Sequence, residues 1–434
     1  MNIARRSTIG VCLAFLAAFS GRGQERPNGF YLTTPLLLGA GYEDHLFTGN
    51  GQLNDTSTIL TGPTFEWIRS THRAKFYVNY LPEFEMFATH SNLDAWNQSA
   101  STRLEYRIDS RNSLEFGDSF LDTKDSSRQL ENSLIILPYG QFLQNTFYGE
   151  YKYRWSAFTK LTFRLDNAIT TANLPGALHD RLNEVGTAGS ATVDRSLTSK
   201  QSLSVSYSFL HVMPLSAQFG GSATNVNLVM LGYTYQLNPT LLLRLSGGGI
   251  EGSESALNGA AVLEKQLGDV WIAGGYQRYL GFFDGLPISG GFTEAATAAS
   301  FANGVAPVSV YQVVSLRATG QVTRRLKVTA LGEKSLSGTN HDGFPDRSLI
   351  GKLRLSYKLN NRLSLFAEAE HYGQNQNLLF DFPLNRNRFF AGFEITISRP
   401  PETQGRSNQR RKGGAVDSDE QKQDGQNPGG GFDR

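Results

Sequence analysis

From residue 202 to residue 210 the chain reads Ser-Leu-Ser-Val-Ser-Tyr-Ser-Phe-Leu, and that strict alternation constrains the fold more than any other feature. Successive side chains of an extended chain point to opposite faces. Leu203, Val205, Tyr207 and Phe209 therefore share one face, and Ser202, Ser204, Ser206 and Ser208 share the other. The result is a ribbon with an apolar and a polar side. Repeated around a closed sheet, such a ribbon puts lipid on one side and water or polar side chains on the other.

The same period recurs along the chain. Leu353, Leu355, Tyr357 and Leu359 alternate with Lys352, Arg354, Ser356 and Lys358, and Leu161, Phe163 and Leu165 alternate with Lys160, Thr162, Arg164 and Asp166. Phe147, Gly149, Tyr151 and Tyr153 oppose Tyr148, Glu150, Lys152 and Arg154. Near the C-terminus Phe389, Ala391, Phe393, Ile395 and Ile397 oppose Phe390, Gly392, Glu394, Thr396 and Ser398. Short polar stretches rich in Asn, Asp, Ser and Gly fall near 69–73, 109–112, 154–157, 197–200, 237–240, 267–269, 322–325 and 358–362, and these residue types accept tight-turn geometry. Longer connections fall near 44–55, 88–97, 122–138, 170–186, 212–223, 251–257, 283–307, 337–348 and 373–386. That alternation predicts an all-β chain forming a single transmembrane antiparallel β-barrel of about eighteen strands, with both barrel ends on the short-turn side. Pro35, Pro63 and Pro82 interrupt the first three strands, since proline cannot donate to a ladder, so they mark bulges or reduce the count to about sixteen.

The N-terminus reads as a signal peptide over residues 1–20. Arg5 and Arg6 supply the basic segment, Ile9 to Phe19 the apolar one, and Ala18-Phe19-Ser20 the small residues before cleavage. A periplasmic lead (21–29), the barrel (30–398) and a disordered periplasmic tail (399–434) follow; the tail is Gly-, Gln-, Asp- and Arg-rich and too poor in apolar residues to fold. Cys12, the one cysteine, lies in the signal, so the mature chain is expected to hold no disulfide, thiolate metal site or cysteine nucleophile. The full chain carries 41 basic and 39 acidic side chains, and loss of Arg5 and Arg6 leaves them equal. Such a balance argues against nucleic-acid binding and against a strong field for either sign of ion.

A soluble β-sandwich also alternates, with its apolar faces meeting across a core. The secretory signal, the short/long rhythm of connections and the aromatics near short turns (Trp67, Trp155, Tyr235, Trp271, Tyr357) favour a barrel with an interfacial girdle. On these strands, turns and the aromatic last strand Phe389 to Ile397, residues 30–398 resemble bacterial outer-membrane β-barrels of the porin type. The resemblance implies residence in the cell outer membrane, contact with outer-membrane lipid and insertion by the barrel-assembly machinery. Two features depart from the pattern. The chain continues beyond its last aromatic strand, and no plug-sized domain lies between the signal and Phe30, unlike energy-coupled transporters. Barrels of about eighteen strands include sugar, amino-acid and polysaccharide-exporting channels, and strand number alone does not choose among them.

The functional expectation is therefore a channel for small hydrophilic solutes, or an exporter of a weakly charged polysaccharide, with no cofactor and no metal. The alternatives are a structural or adhesion barrel with an occluded lumen, and an outer-membrane hydrolase. The pore-lining candidates are the charges on polar strand faces: Arg103, Glu105, Arg107, Glu115, Glu150, Lys152, Arg154, Lys160, Arg164, Asp166, Lys327, Lys352, Arg354, Glu368 and Glu370. Their mixed signs predict weak ion selectivity, and as cross-strand pairs they also hold the wall. The longest connection, 283–307, is Ala-rich and carries Phe292 and Phe301, candidates to pack on the wall and constrict the pore; 122–138, which ends in an apolar run, is a second candidate. For catalysis, His179-Asp180 and His341-Asp342 are adjacent pairs whose side chains point apart, and Ser208 and His211 fall on opposite faces. Asp342 and Asp346 lack the spacing of a full calcium loop, so a polar turn accounts for them.

Overall fold

The structure, a computed structural model, describes residues 28–33, 35–47, 52–125, 139–173, 183–215, 223–251, 255–281, 309–337, 347–375 and 383–397. The signal-peptide and tail expectations lie outside these residues, as do the 283–307 connection with Phe292 and Phe301, both His-Asp pairs and the Asp342/Asp346 turn. In chain order the strands are β1 (Gly29–Leu32), β2 (Leu36–Phe47), β3 (Gln52–Thr61), β4 (Phe65–Ser70), β5 (Ala74–Phe87), β6 (Ala95–Arg107), β7 (Asn112–Thr123), β8 (Gln141–Arg154), β9 (Thr159–Asn173) and β10 (Glu184–Ser196). The second half holds β11 (Gln201–Pro214), β12 (Thr224–Asn238), β13 (Leu241–Glu251), β14 (Ala256–Leu267), β15 (Val270–Gly281), β16 (Ser309–Gln321), β17 (Leu326–Ser337), β18 (Arg347–Lys358), β19 (Leu363–Gln374) and β20 (Leu384–Ile395). Neighbours pair antiparallel throughout, and β2 closes the sheet on β20 from Leu36↔Ile395 to Glu43↔Arg388.

Four of the twenty segments are halves of two interrupted strands. β1 continues into β2 and β3 into β4, with β1 pairing β4 and β2 pairing β3, so the closed barrel has 18 strands rather than the lower alternative. The prolines explain the interruptions. Pro35 and Pro63 sit at the two breaks, while Pro82 stays inside β5 opposite Gln98. In an antiparallel ladder the N–H and C=O of one residue point to the same neighbour. The Pro82 carbonyl accepts from Gly62 N at 2.9 Å, so its missing N–H also faces the break between β3 and β4, where no ladder acceptor is lost. A second irregularity lies between Glu43 and Leu46, where His45 takes φ 51°.

The tight turns fall where the sequence places them. At 108–111 the Asp109 carboxylate accepts from Arg111 N at 2.6 Å and from Asn112 N at 2.8 Å, and Asn360 does the same for Arg362 N and Leu363 N. Gly268 adopts φ 59° in the turn between β14 and β15, a left-handed position suited to glycine. The register then defines two faces. One row runs Lys75, Glu105, Glu115, Glu150, Arg164, Ser190, Ser208 and Leu228 across β5 to β12, all inward. The opposite face exposes large apolar side chains around the barrel, among them Leu165 (69%), Leu257 (70%), Leu316 (60%) and Phe389 (55%). A continuous apolar belt of that extent on a closed sheet fits lipid and not water.

Two details differ from the sequence expectation. Trp271 lies in the row Gln266–Trp271–Thr319–Thr329–Arg354 and so faces inward, away from any lipid girdle. Proximity to a turn says nothing about face, which parity decides. The inner face is also not uniformly polar: Ala188, Leu210, Val212, Val226, Leu228 and Ile250 form a buried inward cluster toward the long-loop end of β10 to β13. At the closure seam, Gly39 and Gly41 make room for Phe366 and Phe390, which pack with Ile59 and Leu37.

Candidate functional site

All fifteen charged candidates occupy the inward face, and the register sorts them into groups. On β6 to β9, Lys152 Nζ lies 2.9 Å from Glu115 and also pairs with Glu150; Arg164 reaches Glu150 at 3.8 Å. The Arg164 guanidinium donates to Asp166 from Nε (2.9 Å) and from a terminal nitrogen (2.8 Å), and it stacks 4.1 Å above the Tyr148 ring. The Tyr148 hydroxyl donates to Glu115 at 2.9 Å, and the ring lies on Gly117, whose missing Cβ leaves it room. Arg103 and Glu105 approach to 3.4 Å beside this ladder. Arg107, Arg154 and Lys160 sit lower, around a cavity of about 610 Å³ at the short-turn mouth that Arg73, Lys75 and Arg111 also line. Lys327 lies near the same end, in register with Gln321 and Ser356.

The second group lies on β18 to β20 and β2, separated from the first by β3 and β5. Lys352 pairs with Glu370 and lies 3.9 Å from Glu368; Arg354 donates to Glu368 at 3.0 Å and pairs with Glu394. Above them is the most buried charge cluster among the described residues. Arg388 donates to Glu43 at 2.9 Å and to Glu370 at 3.1 Å, while Arg386 donates to Glu43 at 2.6 Å. Asp125 enters between the two guanidiniums, 2.8 Å from Arg386 and in contact with Arg388. The side chains of Arg388 and Glu43 are 1% and 0% exposed. Taking such ions out of water costs several kcal/mol each, so the cluster holds only because every carboxylate has more than one cationic donor.

Asp125 does not belong to the wall. It follows β7, at the start of the 126–138 connection, and reaches the β20 wall from there. Both ends of that connection are pinned inside the barrel. Lys124 Nζ donates to Asp94 O at 2.6 Å and Lys124 N to Asn97 Oδ1 at 3.0 Å; the Tyr139 hydroxyl donates to Leu93 O at 3.0 Å, and its ring packs edge-on against Phe87. Of the two connections read as possible constrictions, 122–138 thus has its described ends folded into the lumen.

Glu43, Asp125, Arg386 and Arg388 are absent from the sequence candidates. Residues 373–386 read as a connection because the clear alternation of apolar side chains starts at Phe389, yet Arg386 and Arg388 continue the inward parity of Phe390, Gly392 and Glu394. That parity was the available signal. Asp125 had none. Another contact across sequence joins His90 and Asp55, where the buried carboxylate accepts from His90 Nδ1 (2.7 Å), His90 N (3.0 Å) and Thr56 N (2.7 Å). These bonds fold the 88–94 connection over β3, and the pair serves as a structural clamp. Ser208 lies inward and His211 outward, as their spacing requires. Among the described residues no group of His, Cys, Asp and Glu could hold a metal ion.

The fold and the register together define a closed antiparallel β-barrel of 18 strands, apolar outside and charged inside. No known family model matches the sequence, and no curated protein does. Several solved structures are similar to it in fold. OccK2 (OpdF) of Pseudomonas aeruginosa in complex with glucuronate has a TM-score of 0.47 at 12% identity, over 85% of this chain and 100% of that one. OccAB4 of Acinetobacter baumannii has a TM-score of 0.46 at 11% identity, over 86% and 98%. The siderophore receptor PirA of Pseudomonas aeruginosa has a TM-score of 0.41 at 10% identity, over 86% and 81%.

Proposed function

We propose that this protein is an outer-membrane channel for passive passage of small hydrophilic solutes, narrowed toward its long-loop end by the segment that carries Asp125. One observation carries the reading. Apart from the buried Arg386–Arg388 cluster, many charged side chains of the inner wall keep access to water inside a closed sheet, with 47% of Arg103, 32% of Lys152, 35% of Lys352 and 38% of Arg317 exposed. A lumen packed shut by its own side chains would bury them, and unhydrated charges at that density would be costly. Lysine and arginine alternate with carboxylates in both groups, which supports weak selection by ion sign.

A structural barrel would share the fold and lack the water path. The test is single-channel recording of the purified protein in planar bilayers. Stepwise ohmic conductance is expected; a folded, inserted protein that passes no current would overturn the channel reading. The hydrolase alternative has no support among the described residues, since Asp55 and His90 saturate one another in a clamp and Ser208 and His211 lie on opposite faces.

A further inference from the structure

The inner wall of β4 to β8 changes chemistry at mid-height. Below lies the ladder of Glu115, Lys152, Glu150, Arg164 and Asp166; above lies the pinned base of the 126–138 connection. Between them the register row Glu66, Asn79, Ser101, Ser119, Thr146 is followed by the row Leu81, Ser99, Leu121, Gln144. These side chains are short or uncharged apart from Glu66, so the wall recedes and leaves a cavity of about 520 Å³. Small-molecule sites span roughly 300–1,000 Å³.

A second observation points to a ligand. Gln144 lines this cavity, is 8% exposed, and its Nε2 has no hydrogen-bond partner. Buried polar groups are almost always paired, and this unpaired amide, itself closed off from solvent in the cavity wall, fits an acceptor from the lumen that it meets once the Gln144 side chain turns toward the cavity. The remaining groups set its chemistry. The Ser99 hydroxyl can donate and accept. Ser101 Oγ accepts from Asn79 Nδ2 at 3.4 Å and keeps its proton to donate, and Ser119 Oγ donates to Thr146 O at 3.5 Å and keeps lone pairs to accept. Glu66 as a carboxylate accepts, and Gln144 Nε2 donates. Leu81 and Leu121 add an apolar surface between them. An anion would meet Glu66 and no lining cation. A cation would find one carboxylate among neutral groups. A solute with several hydroxyls on a C–H skeleton matches every element.

We propose that this cavity is a lumenal subsite for an uncharged polyhydroxylated solute of the sugar class. The assignment rests on the channel reading for its physiological meaning and names the solute class of that channel.

Sucrose is the probe, with tetraethylene glycol as a neutral solute that lacks its array of hydroxyls. In planar bilayers, sucrose is expected to interrupt the current of the wild-type barrel saturably, and tetraethylene glycol only to scale it with viscosity. Gln144→Leu, and separately Ser101→Val with Ser119→Val, are expected to raise the half-blocking sucrose concentration about tenfold, the loss of roughly 1.4 kcal/mol. Each variant is referenced to its own sugar-free current and to heat-modifiable gel mobility as proof of folding. Titration calorimetry of sucrose into the folded protein in detergent reads the same site without conductance. Current that sucrose does not interrupt, or block that is equal in wild type and both variants, overturns the subsite and leaves the channel standing. Calorimetric binding lost in the variants, in a barrel that passes no current, upholds the subsite and overturns the channel. Neither current nor binding overturns both.

Discussion

Asp125 lies 2.8 Å from Arg386, although 261 residues of chain separate them. The bond joins the segment after β7 to the seam where the barrel closes, and a shared carboxylate, Glu43, binds both Arg386 and Arg388 beside it. A latch of this kind fixes Asp125, the last described residue after β7, against the seam. It also ties closure of the sheet to the position of that segment.

Asp125→Ala should release the latch. Removal of one partner from a buried ion cluster typically costs about 3–5 kcal/mol, because the remaining charges lose their compensation. Here Glu43 and Glu370 stay with Arg388, so the barrel is expected to fold while the segment loosens. Single-channel conductance should rise above the wild-type value, and larger neutral solutes should enter in liposome swelling. Wild-type conductance in a folded Asp125→Ala barrel would count against this segment as the constriction.

Lys152→Met tests the ladder. Lys152 Nζ bridges Glu115 and Glu150, so its loss leaves two carboxylates on the inner wall with Arg164 and Tyr148 as their neighbours. The zero-current potential across a salt gradient should move in the cation-selective direction. The shift should shrink at high salt, where the screening length falls to about 3 Å at 1 M. A potential indistinguishable from wild type at low salt would place the ladder outside the ion path.

The two faces of one wall make opposite predictions. Leu165, 69% exposed near the middle of β9, faces outward, and an arginine at the lipid midplane costs roughly 2–4 kcal/mol. Ser206 on β11 faces inward between Thr192 and Met230, so Ser206→Lys should fall within about 0.5 kcal/mol of wild type. Denaturant unfolding from lipid vesicles measures both. Equal costs for the two substitutions would mean that the outward face does not meet lipid.

Gly41→Val probes the seam. A Cβ at Gly41 would run into the Phe390 ring and the Phe389 carbonyl, so the aromatic filling must shift. Overpacking of that kind costs about 1–3 kcal/mol, and Arg388, two residues from Phe390, moves with it. The temperature at which the folded gel band disappears should fall, and truncating the ring with Phe390→Ala in the same chain should recover part of the loss. No recovery would mean that the strain lies in the backbone contact alone.

Much of the architecture is legible in particular residues. The Ser202 to Leu210 alternation, the Asp109 and Asn360 turns and the inward charges from Arg103 to Glu370 follow from a two-residue period and from side chains that satisfy turn amides locally. The early strands read less well because Pro35 and Pro63 break the ladder, and only their partners show that each break divides one strand. Trp271 read as a girdle residue because its nearness to a turn outweighed its parity.

By itself the sequence determined an all-β chain of about eighteen strands, the alternation of short and long connections, and which side chains share a face. Each of these depends on neighbours a few residues apart, and extended-chain geometry converts spacing directly into direction. The tertiary structure alone decided which charges meet. Closure brings β2 against β20, and only then do Glu43 and Arg388 become neighbours. Asp125 joins them through a connection with no periodic signal. The mid-height cavity likewise exists only where short side chains from five strands fall at one level. Lumen chemistry is set by register and by inward-folded connections, both of which are fixed by contacts between distant parts of the chain.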